Sequence, residues 1–368
     1  AAAARRAMKK LFTISPKSHG KGPVTLAWHP QGSFLATCGA NRIVNVFNRQ
    51  GEAHAEIPLE GSGRCTALEW DKDGEMLAMM QERSAVIKLW DANQNAESSL
   101  ETGLKEELTF IRWSAAGPQL AIGTAKGNLL LYNKKTLKKQ SIAGKHVKTI
   151  TSGAWHEDTL IMASADRQVT LSNPDGDTIS QTTLKAEGSN LQVTGSTEAG
   201  REPTVSVVSG GTVIIMFPVG QPASSTELKF GTQYGKIVSY HVLDGNHVAV
   251  GFDSGQFVVA APSGGKTPTE IFSAKLFSNG LASVAISPQI RRAAACNGRQ
   301  VKVVDLADEP KEMEDEGMSL IEEDGELQYV AWTRDGQVLT VASSSGAVHS
   351  FLACLPPLAV ANGTKYMY

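Results

Sequence analysis

The sequence has little of what would indicate a metal centre, a disulfide framework or a membrane span. Its 368 residues include four cysteines, none of them in a Cys-x-x-Cys pair: Cys38, Cys65, Cys296 and Cys354. Such wide spacing disfavours a zinc site and dense disulfides, and it favours a reducing, cytosolic setting. No apolar run reaches the ~18 residues of a membrane-spanning helix. With 41% apolar residues, the composition instead supports a full hydrophobic core.

Sequence motifs of catalysis and cofactor binding are also missing. The eight histidines show no His-x-x-x-His spacing, and there is no Gly-x-Ser-x-Gly. Residues 265–267 resemble the end of a phosphate-binding loop, but Ala260 replaces its first glycine and Pro268 stops the required helix. "DKDGE" at 71–75 is shorter than a calcium loop of ~12 residues. We therefore predict no cofactor, no bound metal and no enzymatic activity.

Charge of one sign does not dominate either. The formal net charge is −2, so nothing global indicates nucleic acid or a membrane surface as a partner. Acidic residues are concentrated in one stretch, residues 308–326, with ten carboxylates and one lysine. We expect this stretch to be a mobile insertion around a short outer strand, "MSLI", with docking of a partner as the alternative.

Tryptophans recur at a regular interval. Five of the six follow this interval: 42, 43 and 42 residues separate Trp28, Trp70, Trp113 and Trp155, and a further 177 residues, about four such intervals, precede Trp332. Three weaker copies fill that gap, with His241 and Ile286 at the tryptophan position of two of them. The chain therefore contains eight units close to the ~40–45 residues of a propeller blade.

Each unit has the pattern of a four-stranded antiparallel blade. A strand ends at the tryptophan, and turns such as "DKDG" or "TRDG" follow it. A small apolar strand comes next, then a strand ending in an aromatic residue such as Trp90, then a more polar outer strand. Small residues suit the crowded centre of a radial array. We predict a single all-β propeller of eight blades, with seven as the alternative.

The repeat resembles WD-repeat β-propellers over residues 11–352. Trp90-Asp91 closes a third strand, where that family's signature belongs, and "GKH" at 144–146 matches its Gly-His mark. The resemblance implies that His146 and Asp166 hydrogen-bond across their blade in a structural role. Ser172 stands where that network would place a tryptophan, so the full set is absent.

A narrower resemblance is carried by "MKKLFTIS", "IKLWDANQN", "GTAKGNLLLYNKKT" and "GKHVKTITSGAW". These stretches are similar to the first propeller of a WD-repeat subunit family of intraflagellar transport complex A. The resemblance implies a non-enzymatic scaffold in retrograde transport and in ciliary import of membrane proteins. It implies other complex subunits, cargo adaptors and membrane-protein cargo as partners, and it places the protein in the cytoplasm, the cilium or flagellum, and the basal body.

The chain ends are expected to differ in role. The leading "AAAARRA", residues 1–7, looks like an artificial leader. The propeller is expected over 8–355, and "KKLFTIS" is expected to pair with "AVHSFLA" as the outer strand of the last blade, which would close the ring. Residues 356–368 are expected to form a strand or a linker toward a second propeller.

A candidate basic rim follows from the alignment of the units. Loops joining second to third strands lie on the same face as loops joining one blade to the next. The first kind carry Arg42, Arg83, Lys126, Arg167 and Arg299, and the second kind carry Arg64, Lys145, Lys148 and Lys236. Such a rim would suit an acidic peptide, an acidic protein surface or anionic lipid headgroups. The alternative is that these are ordinary solvated charges.

Other binding functions are less consistent with this rim. A ubiquitin- or phosphoinositide-binding adaptor is the alternative to the transport scaffold, although ubiquitin's usual contact surface is itself bordered by basic residues. Nucleic-acid binding would need aromatic platforms beside the basic loops, and the sequence has none there. A second basic cluster, Lys134–Lys139, is expected to protect an outer strand from edge pairing.

Overall fold

The computed structural model describes residues 8–195, 203–243, 247–265, 267–314, 317–320, 324–353, 360–362 and 365–367. The first seven residues and Cys354 thus lie outside the described part of the chain. An initial strand, β1 (Lys9–Ile14), precedes a series of antiparallel sheets. The helical elements Pro16–Ser18 and Thr232–Tyr234 are single turns of 3-10 helix. Within the described residues, no helix has the length and apolarity needed to cross a membrane.

The first four sheets, blades 1 to 4, follow one another along the chain. Blade 1 has β2 (Thr25–Trp28), β3 (Phe34–Cys38), β4 (Ile43–Asn48) and β5 (Ala53–Pro58). Blade 2 has β6 (Cys65–Trp70), β7 (Met76–Gln81), β8 (Val86–Asp91) and β9 (Ala96–Glu101). Blade 3 has β10 (Leu108–Trp113), β11 (Gln119–Thr124), β12 (Leu129–Asn133) and β13 (Lys139–Ile142). Blade 4 has β14 (Ile150–His156), β15 (Thr159–Ser164), β16 (Gln168–Ser172) and β17 (Thr178–Thr183).

The weaker sequence units also form blades. Blade 5 has β18 (Gly188–Thr194), β19 (Thr204–Ser209), β20 (Val213–Pro218) and β21 (Thr226–Lys229). Blade 6 has β22 (Ile237–Val242), β23 (Val248–Phe252), β24 (Gln256–Ala261) and β25 (Thr269–Lys275). Blade 7 has β26 (Ser283–Ser287), β27 (Arg292–Asn297), β28 (Gln300–Asp305), β29 (Lys311–Glu312) and β30 (Met318–Ser319). Blade 8 has β31 (Leu327–Trp332), β32 (Val338–Ser343) and β33 (Val348–Leu352). The prediction of eight blades is confirmed.

The N-terminal strand completes the last blade. Strand β1 pairs antiparallel with β33, and Thr13 lies opposite His349 in this register. A second link joins the same two ends of the ring, because Arg49 of blade 1 donates to Asp335 of blade 8 at 2.9 Å and to Gln337 at 2.9 Å. The predicted closure by the N-terminal strand is confirmed, and β1 covers the outer edge of β33, which blade 8 would otherwise leave unpaired.

Near the C-terminus, β34 (Val360–Asn362) and β35 (Lys365–Met367) form a two-stranded hairpin.

The acidic stretch, residues 308–326, is described in part. There, the outer edge of blade 7 is divided between β29 and β30, and both pair with β28. The expected outer strand "MSLI" is thus present at Met318–Ser319, while residues 315–316 and 321–323 lie outside the described residues.

The hydrophobic core consists of layers between neighbouring blades. One such layer combines Met80 and Ile87 of blade 2 with Leu108 and Leu120 of blade 3, all nearly inaccessible to solvent. Strands with apolar side chains on both faces can be buried in this way, since each inner sheet packs against one neighbour on either side. The packing explains why second and third strands are almost continuously apolar.

The repeated tryptophans join adjacent blades. Each lies at or near the end of an innermost strand, and its indole Nε1–H donates to a backbone carbonyl in the preceding blade. The bonds run from Trp70 to Ala27 at 3.3 Å, from Trp113 to Glu69 at 3.1 Å, from Trp155 to Arg112 at 3.1 Å and from Trp332 to Ala285 at 3.1 Å. In Trp28 the indole donates to the Thr340 hydroxyl instead. The regular spacing of the tryptophans therefore reflects a hydrogen bond that recurs between neighbouring blades.

Candidate interaction face

The propeller has two faces built from different loops. The loops from second to third strands and the loops joining successive blades emerge on one side, which we call the rim face. This follows from the antiparallel order of each blade, and contacts confirm it: the Leu59 N–H donates to Arg42 O, and the Leu184 N–H donates to Arg167 O. Loops from first to second and from third to fourth strands form the opposite face.

All nine predicted basic residues lie in loops of the rim face. Exposed side chains are those of Arg64, Arg83, Lys126, Lys148, Arg167, Lys236 and Arg299, whereas Arg42 and Lys145 are half-buried. Residues Arg42, Arg83 and Arg167 have backbone φ values of 59°, 57° and 70°, in the left-handed region. Glycine more often takes such turn positions. No sequence feature indicated this backbone conformation.

Contacts differ among these basic groups. The Arg64 guanidinium pairs with the Glu82 carboxylate at 2.7 Å, and this pair is largely exposed. Lys145 is directed into the seam with blade 4, where its ammonium donates to Gly176 O at 2.7 Å and to Thr178 Oγ1 at 2.6 Å. Burial lowers the pKa of Lys145. Its charge is therefore less accessible from the rim face than that of Lys148.

His146 and Asp166 are in contact, and a third residue joins them. Nδ1 of His146 lies 3.1 Å from Asp166 Oδ2, and Nε2 lies 3.0 Å from the Thr170 hydroxyl. Asp166 also accepts from the Val147 N–H at 3.0 Å. The Ser172 hydroxyl is buried without a hydrogen-bond partner. This agrees with the expectation that the His–Asp network of this blade lacks its third member. These bonds fix the loop that displays Val147 and Lys148 on the rim face.

Two similar histidine contacts were not predicted. His19, fully buried, has Nδ1 2.7 Å from Gly346 O and Nε2 2.8 Å from the Thr37 hydroxyl, so it joins blades 1 and 8. In blade 8, His349 Nδ1 lies 3.0 Å from Thr13 Oγ1 of the closing strand. The position of His19 could have predicted this contact, because His19, like His146, lies in a loop that joins one blade to the next.

The buried histidines predict a loss of stability in mild acid. Burial lowers the pKa of His19, and it also lowers the pKa of His146 and of His349 despite the opposing charges of Asp166 and Asp324. Below about pH 6.5 the unfolded chain therefore binds more protons than the native state, and the free energy of unfolding falls. Each histidine that stays neutral adds a slope of up to about 1.4 kcal/mol per pH unit.

Urea denaturation over the range from neutral pH to about pH 5 measures this slope. The variant His19→Gln should have a shallower pH dependence than the wild type, whereas His54→Gln, at an exposed position, should keep it. An unfolding free energy that stays constant across this range in the wild-type protein would contradict the prediction.

The carboxylates of the acidic turn at residues 71–75 pair with a lysine from the next blade. Three carboxylates lie close enough to share a cation, those of Asp71, Asp73 and Glu75. Lys134 of blade 3, itself mostly buried, pairs with Asp71 and with Glu75, the latter at 2.9 Å. The ammonium therefore already neutralises this turn and links blades 2 and 3. Lys134 thus has a role between blades that its place in the Lys134–Lys139 cluster did not predict.

Eight antiparallel blades, closed by the N-terminal strand and with a His–Asp pair in blade 4, define a WD-repeat β-propeller. The family profile described as "WDR19 first beta-propeller" matches residues 24–346. The chain belongs to this family of propellers.

Relatives support the assignment over nearly the whole chain. WD repeat-containing protein 19 of Homo sapiens is 38% identical over 98% of this chain, and WD repeat-containing protein dyf-2 of Caenorhabditis elegans is 30% identical over 96%. The chain spans only 27% and 26% of the lengths of these two relatives. Among solved structures, the C-terminal WD40 domain of Sif2 superposes with a TM-score of 0.75 over 96% of this chain and 100% of that one. At 14% identity that likeness shows the fold alone.

Proposed function

We propose that this propeller is a non-enzymatic platform that docks an acidic protein surface on its rim face. The observation that carries the proposal is the placement of seven exposed basic side chains in loops of that one face. Exposed basic groups attract a partner of opposite charge and speed its association, although the same loops also carry exposed acidic residues such as Glu60, Glu107 and Glu187. The net charge of −2 for the whole chain would not by itself indicate this.

The rim is held in a fixed shape, which favours binding. Arg83 and Arg167 lie in tight turns between paired strands, and the loop carrying Lys148 is held by the His146 and Asp166 contacts. Pre-ordered loops lose less conformational entropy on binding than mobile ones. The basic groups can thus form charge-assisted hydrogen bonds with carboxylates at a small ordering cost.

Membership of this family supports a place in intraflagellar transport complex A. In that setting the propeller would act in retrograde ciliary transport and in the entry of membrane proteins into cilia. Its partners would be other subunits of the complex, cargo adaptors and membrane-protein cargo. The protein would then be found in the cytoplasm, in the cilium or flagellum, and at the basal body.

Reversing two rim charges should abolish much of the docking. We expect Arg83→Glu combined with Arg167→Glu to weaken binding of complex subunits or an acidic peptide by about tenfold or more, since each change replaces attraction with repulsion. Binding by the wild-type protein should also weaken as salt is raised. Quantitative pull-down with purified subunits, together with fluorescence anisotropy on a polyglutamate peptide, measures both effects.

The matched control is Lys135→Glu combined with Lys138→Glu. These two exposed lysines lie in a loop of the opposite face and carry the same change of charge. Equal recovery of every partner by the rim variant and by this control would refute the rim as a docking site. Binding to phosphoinositide vesicles in preference to the acidic peptide would support the lipid alternative instead.

A further inference from the structure

Three neighbouring loops of the rim face are joined into one surface where blades 3 and 4 meet. We call this surface the three-loop platform, and its loops are residues 124–128, 145–149 and 164–168. The His146 N–H donates to Gly127 O at 2.9 Å, and the Ala165 N–H donates to Thr149 O at 2.9 Å. Backbone hydrogen bonds therefore hold the middle loop, which links the two blades, to the loop on either side of it.

The loops of the platform are also packed closely. Gly127 has a φ of 82°, in the left-handed region, and a Cβ atom at this position would lie 2.2 Å from His146 O and 2.7 Å from Lys148 O. A larger residue would therefore push the two loops apart. In addition, the Thr149 hydroxyl donates to Ala125 O at 3.0 Å. A platform fixed in this way loses little conformational entropy when a partner binds.

The platform displays one aliphatic side chain among basic ones. Lys126, Lys148 and Arg167 are exposed, one on each loop. Val147 is 83% exposed, more than any other large hydrophobic side chain that the structure describes. Single exposed apolar residues are common on protein surfaces. Val147 differs because its backbone N–H is bound to Asp166 Oδ2 at 3.0 Å, so its side chain projects from a fixed backbone into a basic surface.

Accessible charge on the platform is positive. Its one carboxylate, Asp166, is half-buried and accepts hydrogen bonds from the N–H groups of Val147 and Gln168. Exposed carboxylates lie on the adjoining blade-joining loops instead, at Glu107 before the platform and at Glu187 after it. The basic side chains of the platform therefore form a small positive region that is bordered by negative charge.

This combination discriminates between kinds of anionic partner. A partner with charge alone would leave Val147 in water, whereas a partner with an aliphatic side chain would remove both apolar groups from water, which is favourable. A broad anionic membrane surface would bring its charge close to Glu107 and Glu187 as well as to the basic groups. A short acidic segment can lie between those two carboxylates and avoid the repulsion.

We propose that the three-loop platform binds a short, linear acidic segment of a partner protein that has an aliphatic residue at its centre. The aliphatic side chain packs on Val147, and carboxylates on either side of it form charge-assisted hydrogen bonds with Lys126 and Arg167. An apolar centre surrounded by polar contacts is typical of the residues that dominate binding energy. This inference rests on the proposed docking function of the rim face, and it adds a location and a ligand chemistry.

Removing the aliphatic contact from each partner in turn provides the main test. The probe is a fluorescein-labelled peptide, Gly-Asp-Glu-Leu-Glu-Asp-Gly, and a second peptide has serine in place of leucine; fluorescence anisotropy measures the binding of both. We expect Val147→Ser to weaken binding of the leucine peptide by about tenfold and to leave binding of the serine peptide unchanged. The matched control is Ile179→Ser on the outer strand of blade 4, where the side chain is 65% exposed, and it should bind both peptides like the wild type.

Charge reversal inside and outside the platform tests the location. Lys126→Glu combined with Lys148→Glu should weaken binding of the leucine peptide by about tenfold or more. Arg83→Glu combined with Lys236→Glu makes the same change of charge at exposed rim residues outside the platform, and it should weaken binding by less than about threefold. Circular dichroism and thermal unfolding should show a wild-type fold for all of these surface variants.

The possible failures are distinguishable. Wild-type affinity in Val147→Ser, together with loss in the Lys126→Glu and Lys148→Glu variant, would overturn this inference and leave charge-driven docking on the rim intact. Equal losses in the two charge variants would overturn the location. If the wild-type protein does not bind the leucine peptide, the inference fails, while pull-down with complex subunits still decides the proposed function. Tighter binding to phosphatidylcholine vesicles that contain phosphatidylinositol phosphate than to the peptide would assign the platform to a membrane and would also overturn the inference.

Discussion

Deleting the first strand, Lys9–Ile14, is expected to leave the domain without a stable native state. Five residue pairs join this strand to β33, and Ile14 is buried at its end. Burial of one isoleucine stabilises a fold by about 1.5–3 kcal/mol, and loss of the strand also exposes the hydrogen-bonding groups of β33. Because domains are stable by only about 5–15 kcal/mol, a loss of this kind removes a large part of the total. Thermal unfolding and size-exclusion chromatography should show an early transition and aggregation.

Two controls make this result specific. A version lacking only residues 1–7 should unfold at the wild-type temperature, since β1 stays intact. A synthetic peptide covering residues 8–15, added to the truncated protein, should raise its unfolding temperature by pairing with β33. A truncated protein that remains monomeric with a wild-type transition would show that the pairing of β1 contributes little to stability.

Trp113→Ala is expected to produce the second largest effect. The indole is almost fully buried between blades 2 and 3, and its Nε1–H donates to Glu69 O at 3.1 Å. Replacing a buried tryptophan with alanine costs about 3–5 kcal/mol, because a cavity remains. The free energy of unfolding from urea denaturation measures the loss.

Trp113→Phe separates packing from hydrogen bonding at the same site. It keeps most of the apolar contact but removes the hydrogen bond to Glu69 O, so we expect a cost of about 0.5–1.5 kcal/mol. Leu137→Ala, at a residue 69% exposed, should change stability by less than about 0.5 kcal/mol. If the phenylalanine variant were as stable as the wild type, the indole hydrogen bond would make no net contribution to the free energy of unfolding.

The architecture was accessible from the sequence because its determinants are local and repeated. The interval between tryptophans, the Asp-Gly turns and the apolar second strands predict the blades, and an unpartnered "KKLFTIS" predicts the closure. Even the weak unit with Val193 in place of tryptophan forms a full blade, since strand alternation alone suffices to direct its pairing. Loop position on a face follows from strand order in the same way, which placed Arg83 and Arg167 together.

The contacts that the sequence did not predict join residues far apart in the chain. His19 contacts Gly346 where blades 1 and 8 meet, and Lys134 pairs with carboxylates of blade 2; no local pattern specifies either pair. The hydrogen bond from Lys145 to Gly176 likewise joins residues 31 positions apart in the chain. The blade-6 counterpart of the tryptophan required knowledge of register: Val242 pairs with Val248 as Trp70 pairs with Leu77, so the position belongs to Val242 and the prediction of His241 was wrong.

Ring closure also sets an order on folding. Thr13 and His349, which meet at the closing sheet, are 336 residues apart in the chain. At the roughly 5–20 residues per second of protein synthesis, the N-terminal strand waits about 20–70 s for its partner. Throughout that time "KKLFTI" is an unpaired strand whose two leading lysines oppose edge-to-edge association. While its residues are being synthesised, the propeller is therefore an open arc, and this is the period in which chaperone binding would matter most.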